Sequence, residues 1–122
     1  YYNPNPLAAR VGDCVIRAIS FAENQTWEKT YIDLCIYGLM NCDMPSSNAV
    51  WGKYLKDKGY KRHLVPDECP ECYTVKDFVE DHPTGKYILA ISGHVVAVEN
   101  GDHYDTWNSC DEVVVYYWKK EA

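Results

Sequence analysis

The chain has 122 residues, 47% hydrophobic and 14% aromatic, with 11 tyrosines and 4 tryptophans. That length suits one domain with a single core, spanning 1–122, and the composition excludes a disordered chain. The formal net charge is −6, from 18 acidic and 12 basic residues, and no Lys/Arg cluster gives a footprint for nucleic acid or an anionic membrane.

The acidic balance weakly favours neutral or cationic substrates over polyanions. The longest uncharged apolar stretch, Leu34 to Asn41, is too short to span a membrane. Six cysteines would make three disulfides in a secreted protein. No signal peptide is visible, so the expectation is a cytoplasmic chain with reduced thiols.

The first residues carry Pro4, Pro6 and Gly12 and read as an extended arm. Asp13 is a natural N-cap, and Val15, Ile16, Ala18, Ile19 and Ala22 then recur at helical spacing through about Glu23. Thr26 caps a second helix, in which Trp27, Tyr31, Leu34, Cys35 and Leu39 are expected along one stripe. Ser46 or Ser47 starts a third helix, which ends at Lys58-Gly59. Tyr60 to Val65 alternates like a strand, Pro66 to Cys72 is a loop, and Thr74 caps a short helix closed by Pro83. Four β runs follow: Tyr87–Ile91, His94–Glu99, His103–Trp107 and Val113–Trp118. Asn100-Gly101 is a strong signal for a tight hairpin between the second and third. Helices first and antiparallel strands afterwards predict an α+β domain.

Cys14 follows Gly12-Asp13 and would open the first helix, where unpaired N–H groups and the helix dipole favour a negative charge. A thiolate is the reactive form of cysteine, and this position with a nearby imidazolium lowers its pKa. The backbone N–H of Cys14 would supply one donor of an oxyanion hole. A small buried cysteine in a core is the plainer reading of the same residue, so the case depends on a base.

That base is His94. With a two-residue turn at Asn100-Gly101, Glu99 faces Asp102, Val96 faces Asp105 and His94 faces Trp107. Strand parity then predicts His94, Val96, Asp105 and Trp107 on one side. Asp105 becomes the diagonal neighbour of His94, about 7–8 Å away between backbones and within side-chain reach. A histidine takes the thiol proton and later returns it to the leaving amine, and a third group holds its ring in the right tautomer. Asp105 fits that place, with Asn108 as runner-up on the opposite parity. Val96, Tyr104, Trp107 and the loop from Pro45 to Trp51 are candidates to line a cleft.

A Cys at a helix head, followed by a His and then an Asp on later antiparallel strands, resembles the papain-like superfamily of cysteine peptidases. Asp13-Cys14 and Gly93-His94-Val95 are similar to the NlpC/P60 branch, and a Cys–His–Asp set is similar to C39-type peptidases. The nearest likeness is to small papain-like proteins of Gram-positive bacteria and their phages. The resemblance implies N-terminal helices, with Cys14 at a helix N-terminus, packed on a C-terminal antiparallel sheet. It also implies a hydrolase acting on a peptide or protein substrate through Cys14, His94 and Asp105, with no cofactor. The Gln that C39-type peptidases carry upstream of the Cys is absent, because Ala8 and Ala9 occupy that stretch. The second oxyanion donor is therefore assigned to Asn5 in the arm, ahead of Asn3.

Two other readings stay open. Cys69-Pro-Glu-Cys72, completed by Cys42, Cys110 or His63, would suit a small structural zinc site. A scaffold of the same shape could also serve as a binding module without turnover.

Overall fold

A computed structural model describes residues 2–8, 12–64, 73–91, 94–105 and 113–121. Among them the order is α1 (Cys14–Ala22), α2 (Trp27–Met40), α3 (Asn48–Asp57), β1 (Tyr60–Leu64), α4 (Val75–Asp81), β2 (Lys86–Ile91), β3 (His94–Glu99), β4 (Asp102–Tyr104) and β5 (Val114–Lys120). This is the α+β order expected from the pattern. The strands form one antiparallel sheet in the order β1-β5-β2-β3-β4. No helix among the described residues is long and apolar enough to cross a membrane.

β2 and β3 lie in the middle of that order and are apolar at nearly every position, because both sheet faces are covered. Ile88, Ala90, Val95 and Ala97 point to one face, where they meet Ala18, Ile19 and Ala22 of α1, Leu34 of α2 and Trp51, Tyr54 and Leu55 of α3. Tyr87, Leu89, Val96 and Val98 point to the other, against Val75 and Phe78 of α4. The sheet is thus sandwiched, with α1–α3 on one face and α4 on the other.

Local chemistry fixes several boundaries as expected. Thr26 caps α2 by accepting from the Lys29 N–H at 3.1 Å. Thr74 and Asp77 form a reciprocal capping box at α4. Ser47 is the N-cap residue of α3, and Gly59 stops the chain after it at φ +91°. Asn100 and Gly101 take φ +51° and +83°, the two positive values a type I′ hairpin turn needs. The ladder pairs Glu99 with Asp102, Val98 with His103 and Ala97 with Tyr104, in the predicted register. β4 ends at Tyr104, short of the predicted Trp107.

Two expectations are corrected. The buried stripe of α2 is Thr30, Leu34 and Gly38, whereas Tyr31 is 48% and Leu39 80% exposed. Thr30 is drawn inward by its hydroxyl, which meets Ser20 Oγ at 2.8 Å and Gln25 Nε2 at 2.9 Å. Gly38 is buried because the chain at Asp43–Pro45 folds back onto it, so closely that a Cβ would lie 2.8 Å from the Asp43 carbonyl oxygen. The other correction concerns Asp13. It occupies the N-cap position of α1, but its side chain makes no capping hydrogen bond, having been taken by other partners.

Candidate active site

α1 begins where Asp13 leaves helical geometry at φ −111°, ψ 27°, and its first intrahelical bond runs from Arg17 N–H to the Asp13 carbonyl at 2.9 Å. Cys14 is therefore the first helical residue. With no side-chain cap, the donors of the first turn stay available to an anion at the helix head.

His94, the first residue of β3, is its partner. The imidazole hydrogen-bonds the Cys14 thiol, and its Nε2 lies 2.5 Å from Asp105 Oδ2. Because Nε2 is engaged with the carboxylate, Nδ1 is the nitrogen left for sulfur. Both His94 and Asp105 are buried. Asp105 follows β4 directly, and its carbonyl accepts from the Tyr2 N–H at 2.8 Å. The Tyr2 ring packs edge-on against Phe21 at 5.2 Å and Tyr104 at 6.4 Å, so the arm braces the end of the hairpin.

The three residues proposed from sequence are brought together, but by a different route from strand parity. Val96, predicted on their side, faces α4, while Val95 lines the cavity beside Cys14. His94 pairs with Ile91 at the end of the β2–β3 ladder, where the register of β2 against β5 shifts, and Asp105 lies just past β4. Both side chains reach α1: His94 to Cys14, and Asp105 to Arg17. Tyr104 does not line the cleft either, because it stacks on Phe21 at 3.8 Å. Trp107 and Asn108 lie outside the described residues.

Arg17 is the functional residue the sequence reading missed. Its Nη1 pairs with Asp13 Oδ1, and its Nη2 donates to Asp105 Oδ1 at 3.3 Å. Asp13 Oδ2 accepts from Trp27 Nε1 at 2.8 Å. The guanidinium is only 6% exposed and the carboxylates of Asp13 and Asp105 are 3% and 1%. A row of groups of alternating sign thus runs Asp13, Arg17, Asp105, His94, Cys14, the first four buried and Cys14 half-buried. The signal was an arginine four residues after an aspartate on a helix whose neighbouring positions are apolar. Such a charge is buried only with partners.

These surroundings set the protonation states. Burial alone would raise the Cys14 thiol, but the hydrogen bond and charge of His94, the Val95 N–H and the Arg17 charge bring it below its ordinary value. Burial works against the charged ring of His94 as well, yet the bonds to Asp105 and Cys14 push it up to about 9. Both shifts favour a thiolate–imidazolium pair.

Cys14 and His94 open onto a cavity of about 490 Å³. Its other walls include Leu34 and Cys35 of α2, Met44 and Pro45 of the following loop, Trp51, and Tyr116 of β5. The loop at Pro45 thus lines the cleft as expected. Asn5 does not line it, and its carboxamide oxygen accepts from the Leu7 N–H at 2.9 Å in a local turn. Cys69, Cys72 and Cys110 lie outside the described residues. Within the described residues no group of three or more His, Cys, Asp or Glu is placed to hold a metal; Cys42 is exposed, and His63 stacks on Tyr117 at 5.1 Å.

No family model, curated protein or solved structure matches the chain.

Proposed function

We propose that the chain is a papain-like cysteine peptidase or amidase, with Cys14 as nucleophile, His94 as acid–base and Asp105 as the group that orients His94. The observation that carries this reading is the Cys14–His94 hydrogen bond, with the far ring nitrogen 2.5 Å from a buried carboxylate. An imidazole in a core needs one partner; this one has a thiol at a helix head on one side and an acid on the other, and it opens onto a cavity.

The chemistry follows from the protonation states. The Cys14 thiolate attacks the carbonyl carbon of the scissile amide, and the C=O π pair moves onto oxygen. The Cys14 N–H at the uncapped helix start donates to that oxyanion. As the C–N bond breaks, the His94 imidazolium gives its Nδ1 proton to the leaving amine. Neutral His94 then takes a proton from water, whose oxygen attacks the thioester. That step releases the acid and returns the proton to His94 and the thiolate to Cys14. Throughout, Asp105 holds Nε2–H and keeps the tautomer fixed.

The test is selective alkylation. At about pH 7, iodoacetamide should modify Cys14 at least roughly tenfold faster than Cys35, Cys42, Cys69 or Cys72, because Cys14 has His94 and the Arg17 charge beside it. His94→Ala should remove that advantage. Raising the pH through the lowered thiol titration should increase the rate well before an ordinary thiol ionises, whereas amide hydrolysis, which also needs the imidazolium, should decline above about 9. If Cys14 reacts no faster than the other thiols, the enzymatic reading fails. Selective alkylation with no hydrolysis of any peptide in a mixed library would instead identify a binding module.

A further inference from the structure

Resting on that reading of the site, we infer that the substrate is a peptide with an acidic group a few residues from the scissile bond, held in a basic groove that continues from the active-site cavity. Asn48 and Tyr116 line both spaces, so a chain leaving the cavity between them enters the second groove directly.

That groove, about 620 Å³, runs between α3 and the β1–β5 pair. Along α3, Asn48, Gly52 and Lys56 stand four residues apart with Lys53 beside them, so they present one continuous wall. Gly52 supplies the depth: a Cβ there would lie 3.2 Å from Trp118 Cζ2. The opposite wall is Arg62, paired with Trp118 across the sheet and carried 4.3 Å above the Tyr116 ring. Three exposed cations, Lys53, Lys56 and Arg62, therefore face the groove. Among the described residues lining it the acid is Asp57, which is engaged by the Tyr37 hydroxyl at 2.7 Å.

A local excess of positive charge is notable on a chain with net charge −6. A carboxylate settling in the groove would answer the cations. From Asn48 to Lys56 the helix rises about 12 Å, the length of about four residues of extended peptide. The apolar cavity thus takes the residues next to the scissile bond, and the basic groove takes an Asp or Glu side chain, or a terminal carboxylate, about three or four residues away. This local charge, rather than the overall acidity, sets the preferred substrate.

The test uses matched peptides with an apolar segment followed by two glutamates, or by two glutamines in the twin, each with capped termini. A third peptide replaces the acidic side chains with a free C-terminal carboxylate, which separates the two sources of charge. Binding is read from amide NMR shifts in α3 and β5, which do not depend on Cys14 reactivity, and from protection of Cys14 against iodoacetamide. The acidic peptide should bind roughly three- to tenfold more tightly than its twin at low salt and lose that advantage as salt rises. Lys53→Glu/Arg62→Glu should abolish or reverse the preference. Equal binding of the twins, absence of binding by both, or a preference untouched by charge reversal would each overturn the inference. An unreactive Cys14 alongside a charge-dependent shift at α3 would overturn the catalytic reading and leave the groove standing.

Discussion

Replacing Arg17 by Met removes the cation that bridges Asp13 and Asp105 while nearly preserving volume. The guanidinium is 6% exposed and its two carboxylate partners 3% and 1%, so solvent cannot take its place. Breaking a buried ion pair by removing one partner costs about 3–5 kcal/mol, chiefly because the other charge stays buried. A domain of this size has a total stability of roughly 5–15 kcal/mol, so the variant should be marginal, with a midpoint lowered by roughly 10–20 °C. Asp13→Asn/Arg17→Met removes one negative and one positive charge together. It should lose less than the single Arg17 variant, with a coupling of about 2 kcal/mol between the two positions. The assay is urea unfolding of the wild type, both single variants and the double variant. The thiolate absorbance of Cys14 is followed against pH in the same samples. Because the Arg17 charge helps to lower the thiol, absorbance at a fixed neutral pH should fall in both variants lacking it, even where stability is partly recovered. A loss below about 1 kcal/mol in the single variant, or a double variant no more stable than the single, would refute the idea that these charges act as a unit.

Asp105→Asn removes the partner that holds His94 up to about 9. The alkaline limit of hydrolysis should move down toward the ordinary imidazole range, and kcat/KM should fall about a hundredfold or more; a pH–rate profile that keeps its alkaline limb would contradict the assignment. The stability linked to His94 has a definite sign. With its pKa raised from 6.5 to about 9 in the fold, the contribution is complete below the unfolded value and is lost as pH rises through the folded one, which urea midpoints across that window would reveal. Gly38→Ala places a Cβ 2.8 Å from the Asp43 carbonyl oxygen and 3.1 Å from the Pro45 nitrogen, both backbone atoms. It should cost about 1–3 kcal/mol and shift the loop that walls the cavity, seen as a changed KM with Cys14 alkylation largely retained.

Much of the site was legible because it rests on local rules. Asn100-Gly101 demanded a two-residue turn, and the turn set the register of the hairpin; that put His94 and Asp105 near its open end, although not on the shared face that alternation implied. The start of α1 at Cys14 could likewise be read from Gly12-Asp13 and the periodic residues that follow. What could not be read depends on partners distant in sequence. Which face Val96 occupies depends on α4 covering the second side of the sheet. The stripe of α2 turned toward Thr30 because Ser20 offers a hydroxyl to it. Asp13 looked like a cap on propensity alone, but a buried arginine and an indole N–H claim its carboxylate more strongly. Arg17 itself was passed over because an arginine on a helix normally extends into solvent. Only the hairpin's arrival at the helix head makes a buried one affordable.

The order of the sheet also governs when Cys14 meets His94. Arg17 and Asp105 are separated by 88 positions, and β5, which follows every other element in sequence, lies between β1 and β2. During synthesis the helix head is made long before the hairpin that carries His94 to it. Until that hairpin is in place, Cys14 lacks the imidazole whose hydrogen bond and charge lower its thiol in the fold. Such distant pairings form late and slowly. The topology thus ties the lowering of the Cys14 thiol to completion of the fold.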